Sequence, residues 1–181
     1  AYYYIQEIKD DNYTLSNGDS NGFVKIGDNF YTTITANNHY PVVTAQNIPK
    51  VNLDITKEWT QSNANISKVM NFEIYKAFAN GEPVVNGDGY KVTVNNSDYQ
   101  LTKIDASYQT DIKGVLTVEN LPAFEEKDES YQKLYYYVRE IEGNYTTSDA
   151  INGFIPYESG QYGTAYDDTS SNSGKYNFVN T

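Results

Sequence analysis

The sequence has no cysteine, a single histidine (His39), a single tryptophan (Trp59) and one methionine in 181 residues. Without a thiol there is no disulfide, no zinc–thiolate centre and no cysteine nucleophile, and one imidazole leaves most histidine-dependent triads short of parts. Ordinary turnover catalysis is therefore not expected. Basic side chains are also scarce: 13 Lys and Arg stand against 24 Asp and Glu, a formal net charge of −11. That excess argues against nucleic acid and anionic membranes as partners. No apolar run approaches the roughly 20 residues that span a bilayer, and no charged-then-apolar leader opens the chain. The expectation is a soluble mature segment. Because Ala1-Tyr2-Tyr3-Tyr4-Ile5 is already strand-like, we also expect further sequence upstream.

What the chain does have is 19 tyrosines, among short stretches of Val, Ile, Thr and Phe broken by Asn, Gly, Asp and Pro. Helical periodicity is hard to find, and the pattern predicts an all-β fold of sandwich or barrel type. Predicted strands cover residues 2–8, 30–36, 51–59, 71–77, 90–94, 115–118, 134–141 and 176–180, with turns such as Asn80-Gly81-Glu82-Pro83 and Asn86-Gly87-Asp88-Gly89 between them. Residues 158–174, rich in Gly, Ser, Asp and Tyr, are expected to form a long surface loop.

One segment recurs. Tyr2-Tyr3-Tyr4-Ile5-Gln6-Glu7-Ile8 returns as Tyr135-Tyr136-Tyr137-Val138-Arg139-Glu140-Ile141, Asn12-Tyr13-Thr14 as Asn144-Tyr145-Thr146, and Asn21-Gly22-Phe23 as Asn152-Gly153-Phe154. Such a repeat implies tandem modules. Residues 1–45 read as the closing strands of a first module, 46–50 as a short linker stiffened by neighbouring prolines, and 51–181 as a complete second module.

Strand parity then singles out three polar residues. Val51, Leu53, Ile55, Lys57 and Trp59 share one face; so do Leu134, Tyr136, Val138 and Glu140; so do Tyr176, Phe178 and Asn180. The ordinary explanation is that strand ends reach the core rim, where Lys57 snorkels, Glu140 is solvated and Asn180 caps a turn. The chemical explanation treats the three as one constellation. A desolvated Lys57 becomes a neutral amine nucleophile, Asn180 offers a carboxamide carbon, and Glu140 polarises it and moves protons to the leaving ammonia. Contact between the reactants lowers the barrier by about 7–11 kcal/mol. The product is a Lys–Asn isopeptide bond between first and last strands.

These residues resemble the Cna B-type modules of Gram-positive surface adhesins and sortase-assembled pilins. The similarity is carried by Ile55-Thr56-Lys57-Glu58-Trp59, Val118-Glu119-Asn120-Leu121-Pro122, Tyr136-Tyr137-Val138-Arg139-Glu140 followed by Gly143-Asn144-Tyr145-Thr146, and Phe178-Val179-Asn180-Thr181, in that order. The resemblance implies immunoglobulin-like β-sandwich modules in tandem, a Lys57–Asn180 bond and Glu140 as its single-turnover catalyst. Glu142, of the same parity, is the alternative acid. In the first module Glu7 matches Glu140, and parity with Ile34 and Ala36 selects Asn38 as acceptor, with Asn37 as the alternative. The lysine partner of that module lies outside this chain.

The implied function is a structural stalk or shaft segment of an extracellular, cell-wall-attached pilin or adhesin, joined to neighbouring modules or subunits. The alternative is an adhesin domain whose Tyr-rich loops bind a host protein or glycan; a third reading is an accessory module of a secreted hydrolase. No cofactor is required. A calcium loop is conceivable at Asn17, Asp19, Asn21 and Asp28, where oxygen ligands alternate around a glycine, although Lys25 interrupts the pattern. The run Glu125-Glu126-Lys127-Asp128-Glu129 reads as a solvated loop, Lys50 as a linker lysine or an intersubunit joining site, and His39 as exposed.

Overall fold

Every regular element among the described residues is a β-strand, in keeping with a chain rich in Tyr, Val, Ile and Thr and interrupted by turn formers. The structure is a computed structural model, and it describes residues 1–35, 37, 41–60, 69–104, 107–141, 150–157, 161–168 and 173–180. The chain divides into two units, Ala1–Lys50 and Val51–Thr181.

The first unit contains β1 (Tyr2–Tyr3), β2 (Tyr13–Leu15), β3 (Thr32–Thr33) and the start of β4 (Asn47–Trp59). β1 pairs antiparallel with β3, and β2 pairs antiparallel with residues 47–49 of β4. Residues 47–50, inside the segment expected to be a linker, are thus strand. The strand expected over 2–8 is regular only at Tyr2–Tyr3, with one further bridge from Gln6 to Phe23. A strand persists only where a neighbour completes its ladder of hydrogen bonds.

The second unit adds β5 (Asn71–Ala77), β6 (Val84–Asn86), β7 (Gly89–Val94), β8 (Ser97–Gln100), β9 (Thr102–Lys103), β10 (Tyr108–Gln109), β11 (Val115–Pro122), β12 (Phe124–Lys127), β13 (Ser130–Lys133), β14 (Tyr135–Glu140) and β15 (Ser173–Asn180). One sheet runs β11–β4–β15, with β15 parallel to β4; the other runs β10–β5–β14, with β9 also on β5. Their inner faces meet in a core of Val51, Leu53 and Ile55 from β4, Tyr176 and Phe178 from β15, Phe72 and Ile74 from β5, and Tyr136 and Val138 from β14. This is a β-sandwich. The outer face of β5–β14 is buried as well: Tyr75, Ala77 and Tyr137 pack with Val92, Leu101, Phe154 and Tyr162. β14 is therefore covered on both faces, and its apolar residues run on without the usual polar alternation.

Within residues 158–174, the stretch 162–164 is not a surface loop. Thr164 bridges Tyr136 through two backbone hydrogen bonds of 2.8 Å, and Tyr162, Gly163 and Thr164 are buried. The buried Tyr176 hydroxyl donates to the carbonyls of Tyr136 or Tyr162, and lies 2.9 Å from the Thr164 hydroxyl. A strand-like stretch that satisfies a buried phenol is favoured over a solvated loop, because an unpaired buried hydroxyl costs about 1–3 kcal/mol. The acidic run 125–129, expected as a loop, supplies most of β12 and the turn of the β12–β13 hairpin.

Candidate functional site: a buried lysine, glutamate and asparagine

β4 and β15 run parallel in a register that pairs Lys57 with Phe178 and Trp59 with Asn180. Lys57 and Asn180 are thus diagonal neighbours on the core face of one sheet. Glu140 ends β14 in the facing sheet, paired with Phe72 of β5. Phe72 and Phe178, the strand partners of the acid and the lysine, meet edge-to-face with ring centroids 4.8 Å apart. Local alternation puts each polar side chain inward; packing two sheets brings the three together.

The Lys57 and Glu140 side chains are 0% and 4% exposed, and Nζ donates to Glu140 Oε1 at 2.7 Å and Oε2 at 2.9 Å. Asn180, also buried, donates through Nδ2 to the same Oε1 at 3.1 Å. One carboxylate oxygen therefore holds both the amine and the amide. Asn180 Oδ1 is buried without a hydrogen-bond partner among the described residues. The Trp59 ring lies 5.2 Å from Nζ, a cation–π contact that holds the ammonium in place.

Backbone contacts position each member. Lys57 N donates to Gly114 O at 2.7 Å, and Gly114, at φ +78°, approaches so closely that a Cβ there would sit 2.6 Å from Lys57 O. Only glycine fits this turn. Glu140 N donates to Gly153 O at 3.0 Å, and Thr60 N donates to Asn180 O at 2.9 Å.

Burial lowers the Lys57 pKa from the ordinary 10.5, outweighing the hydrogen bond and Coulombic attraction of Glu140, which raise it. In an Asn180→Ala chain, which keeps the ion pair but has no acceptor, the unfolded state binds more protons than the folded state just below pH 10.5. Stability contributed by this site should then rise with pH. Buried Tyr136, Tyr137 and Tyr176, whose pKa values are raised by burial, act oppositely at higher pH. The comparator is therefore Asn180→Ala with Lys57→Met and Glu140→Gln added. From about pH 7 to about pH 10 the urea midpoint of Asn180→Ala should rise relative to that of the comparator; a constant difference would contradict the lowered Lys57 pKa.

The other expected residues are placed as follows. Glu142, Asn144, Tyr145, Asn38 and His39 lie outside the described residues. Asn37 lies in an exposed turn. Glu7 accepts from Asn47 Nδ2 at 2.8 Å, so the carboxamide on the first unit's acid belongs to Asn47, a residue that parity reasoning passed over. A signal for it was present: forty residues separate Glu7 from Asn47, as forty separate Glu140 from Asn180. Lys50 Nζ donates to Asp11 O at 3.0 Å. Asp19 Oδ1 accepts from the Asn21 and Phe23 amides at 2.9 Å, and Asn17 bonds Thr44 O and Gln46 N. Asp19 thus holds its own turn, and Asn17 ties that turn to residues 44–46. No cluster of three or more acidic or histidine side chains suited to a metal occurs among the described residues.

Fold and site together define an all-β sandwich protein with a buried Lys–Glu–Asn contact joining its two sheets. No family model matches the chain, and no curated protein sequence does. Among solved structures it aligns with the Corynebacterium diphtheriae major pilin SpaA, whose structure points to a modular pilus assembly with stabilising isopeptide bonds. That match has 10% identity and a TM-score of 0.42, over 74% of this chain and 31% of that one. It also aligns with a cysteine-to-alanine variant of the pilus-presented adhesin Spy0125 (Cpa), at 16% identity and a TM-score of 0.30, over 74% of this chain and 27% of that one. The chain spans under a third of either protein's length.

Proposed function

We propose that residues 51–181 form a Cna B-type stalk module of a Gram-positive surface protein, stapled by an autocatalytic Lys57–Asn180 isopeptide bond. The observation that carries this reading is one buried carboxylate, Glu140, holding the Lys57 ammonium and the Asn180 carboxamide at hydrogen-bond distance. Lys57 passes a proton to Glu140, and the neutral amine attacks Asn180 Cγ. The Nζ–Cγ bond forms, Glu140 returns its proton to Nδ2, the Cγ–Nδ2 bond breaks and ammonia leaves, and Glu140 takes up the second proton that Nζ sheds on becoming an amide nitrogen. Asn180 Oδ1, buried and unpartnered, is where negative charge gathers in the tetrahedral intermediate, and protonated Glu140 is the donor at hand.

The staple suits a load-bearing role. β4 opens the second unit and β15 closes it, so a covalent link between them carries tension past the strands in between. Unlike a disulfide it cannot be reduced. The sequence resemblance described above supports the surface location and the joining to neighbouring modules. Tandem mass spectrometry of a tryptic digest tests the reading: a branched peptide joining the Lys57 and Asn180 segments is expected, and unlinked forms of both would refute it.

A second reading, glycan or protein binding, is favoured by one observation. Phe124, Tyr135, Tyr157 and Tyr166, with Gln161 and Asp168, line an open cavity of about 400 Å³. Aromatic faces beside amide and carboxylate groups suit a sugar. Saturable glycan binding lost on Tyr166→Ala would establish it; silence across a glycan array would remove it.

A further inference from the structure

The cavity walled by Phe124, Tyr135, Tyr157 and Tyr166 is built on a fixed floor. Asn80 spends its carboxamide on the Gly163 backbone, accepting from Gly163 N at 2.9 Å and donating to Gly163 O at 3.2 Å. Tyr157 donates its hydroxyl to Gln161 Oε1 at 2.9 Å and its backbone amide to Gln161 O at 3.0 Å. Behind it lies the buried ring of Tyr176, with centroids 5.9 Å apart. Phe124 and Tyr166 meet at 6.1 Å, their planes tilted by 59°. The rings are thus held before any ligand arrives, which lowers the ordering cost of binding.

The charged groups on the walls are Asp167, Asp168 and Lys133. Lys133 Nζ is engaged by the Tyr166 carbonyl at 3.1 Å. Asp168 is exposed and forms no ion pair or hydrogen bond among the described residues. Three features then agree on the sign of charge that the cavity favours. The faces of aromatic rings attract cations. The Asp168 carboxylate is unspent. The chain carries a formal net charge of −11, which raises the local concentration of cations and repels anions. On the walls only Lys133 opposes them.

We propose that this cavity takes an amino sugar with a free amine, a hexosamine unit that is not acetylated. The apolar face of the sugar ring stacks on the aromatic walls, and the ammonium pairs with Asp168. N-acetylation removes the charge and leaves the carboxylate facing a neutral amide. A uronic or sialic acid brings a further negative charge beside Asp167 and Asp168, so acidic glycans are rejected. The inference rests on the glycan reading of the same cavity and names the class of sugar.

Isothermal titration of the whole chain tests it, at about 0.15 M salt, where attraction between exposed charges is screened beyond about 8 Å. The probes are short β-1,4-linked oligomers of glucosamine, of N-acetylglucosamine and of glucose. Saturable binding of the glucosamine oligomer is expected, with the other two weaker by about tenfold or more. Asp168→Asn and Tyr166→Ala should each weaken it about tenfold while the far-UV circular dichroism spectrum stays unchanged. Lys133→Met should tighten it by removing the opposing charge. Equal or greater affinity for the acetylated or the glucose oligomer would overturn the amine requirement and leave the glycan reading standing. Silence from all three oligomers would end both. Glucosamine binding that survives Asp168→Asn and Tyr166→Ala would be attraction to the acidic chain at large, and weaker binding in Lys133→Met would make that lysine a ligand contact; either result overturns the proposal.

Discussion

The intact chain should weigh one ammonia less than its sequence requires, and Lys57→Ala, Asn180→Ala and Glu140→Gln should each restore the full mass. Glu140→Gln is the informative variant. It keeps the size of the side chain and a hydrogen-bonding carbonyl beside Lys57 and Asn180, yet cannot take up and return a proton. General acid–base assistance contributes about 10²–10⁴-fold in rate, and a barrier raised by that much turns a bond formed during folding into one that forms over days or never. Far-UV circular dichroism on the same samples separates chemistry from misfolding. A native spectrum with full mass assigns proton transfer to Glu140. A deficit that persists in Glu140→Gln would reduce the acid to a spacer, and a full-mass parent would remove the bond itself.

Stability should fall in a defined order: parent, then Asn180→Ala, then Glu140→Ala. Asn180→Ala loses the closed loop between residues 57 and 180 but keeps the Lys57–Glu140 pair; for a loop of this length the entropic contribution is about 5 kcal/mol. Glu140→Ala loses the same loop and also strands the Lys57 ammonium, whose side chain is 0% exposed. Removing one partner of a buried pair costs about 3–5 kcal/mol more. Adding Lys57→Met to Glu140→Ala should return most of that second increment by removing the uncompensated charge, without restoring the bond. Guanidinium midpoints at neutral pH measure all four proteins. Equal midpoints for Asn180→Ala and Glu140→Ala would mean that Lys57 is not held as a buried cation.

Both predictions depend on features that differ in how far they can be read from a sequence. The face of Lys57 is legible, because in β4 the residues alternate buried and outward from Val51 to Lys57 and a strand's period of two is a local property. The same holds for Tyr176, Phe178 and Asn180; β14 is buried on both faces, and there only shared parity with Tyr136 and Val138 puts Glu140 on the inner one. Less legible was the stretch around Thr164. Its Gly, Ser and Tyr composition reads as solvated loop, yet it lies as a bridged neighbour of Tyr136 under the Tyr176 hydroxyl. Composition reports what a segment tolerates, and a buried phenol 12 residues away decided where the segment went.

The first unit makes the same point about partners. Parity over residues 34–38 points to Asn38 and Asn37; Asn38 lies outside the described residues, and the amide found on Glu7 is that of Asn47, at the start of β4. Strand alternation says which way a side chain points and nothing about what waits there. By itself, then, the sequence determined an all-β chain, a repeated acid-bearing strand, and inward-facing Lys57, Glu140 and Asn180. Those follow from short-range sterics and from the pairing of apolar residues two apart. Only the tertiary structure decided that β4 and β15 are parallel neighbours, that Glu140 reaches them from the facing sheet, and that Asn47 sits on Glu7. Each of these is a contact across 40 or more residues, set by which sheets can bury their apolar faces against each other.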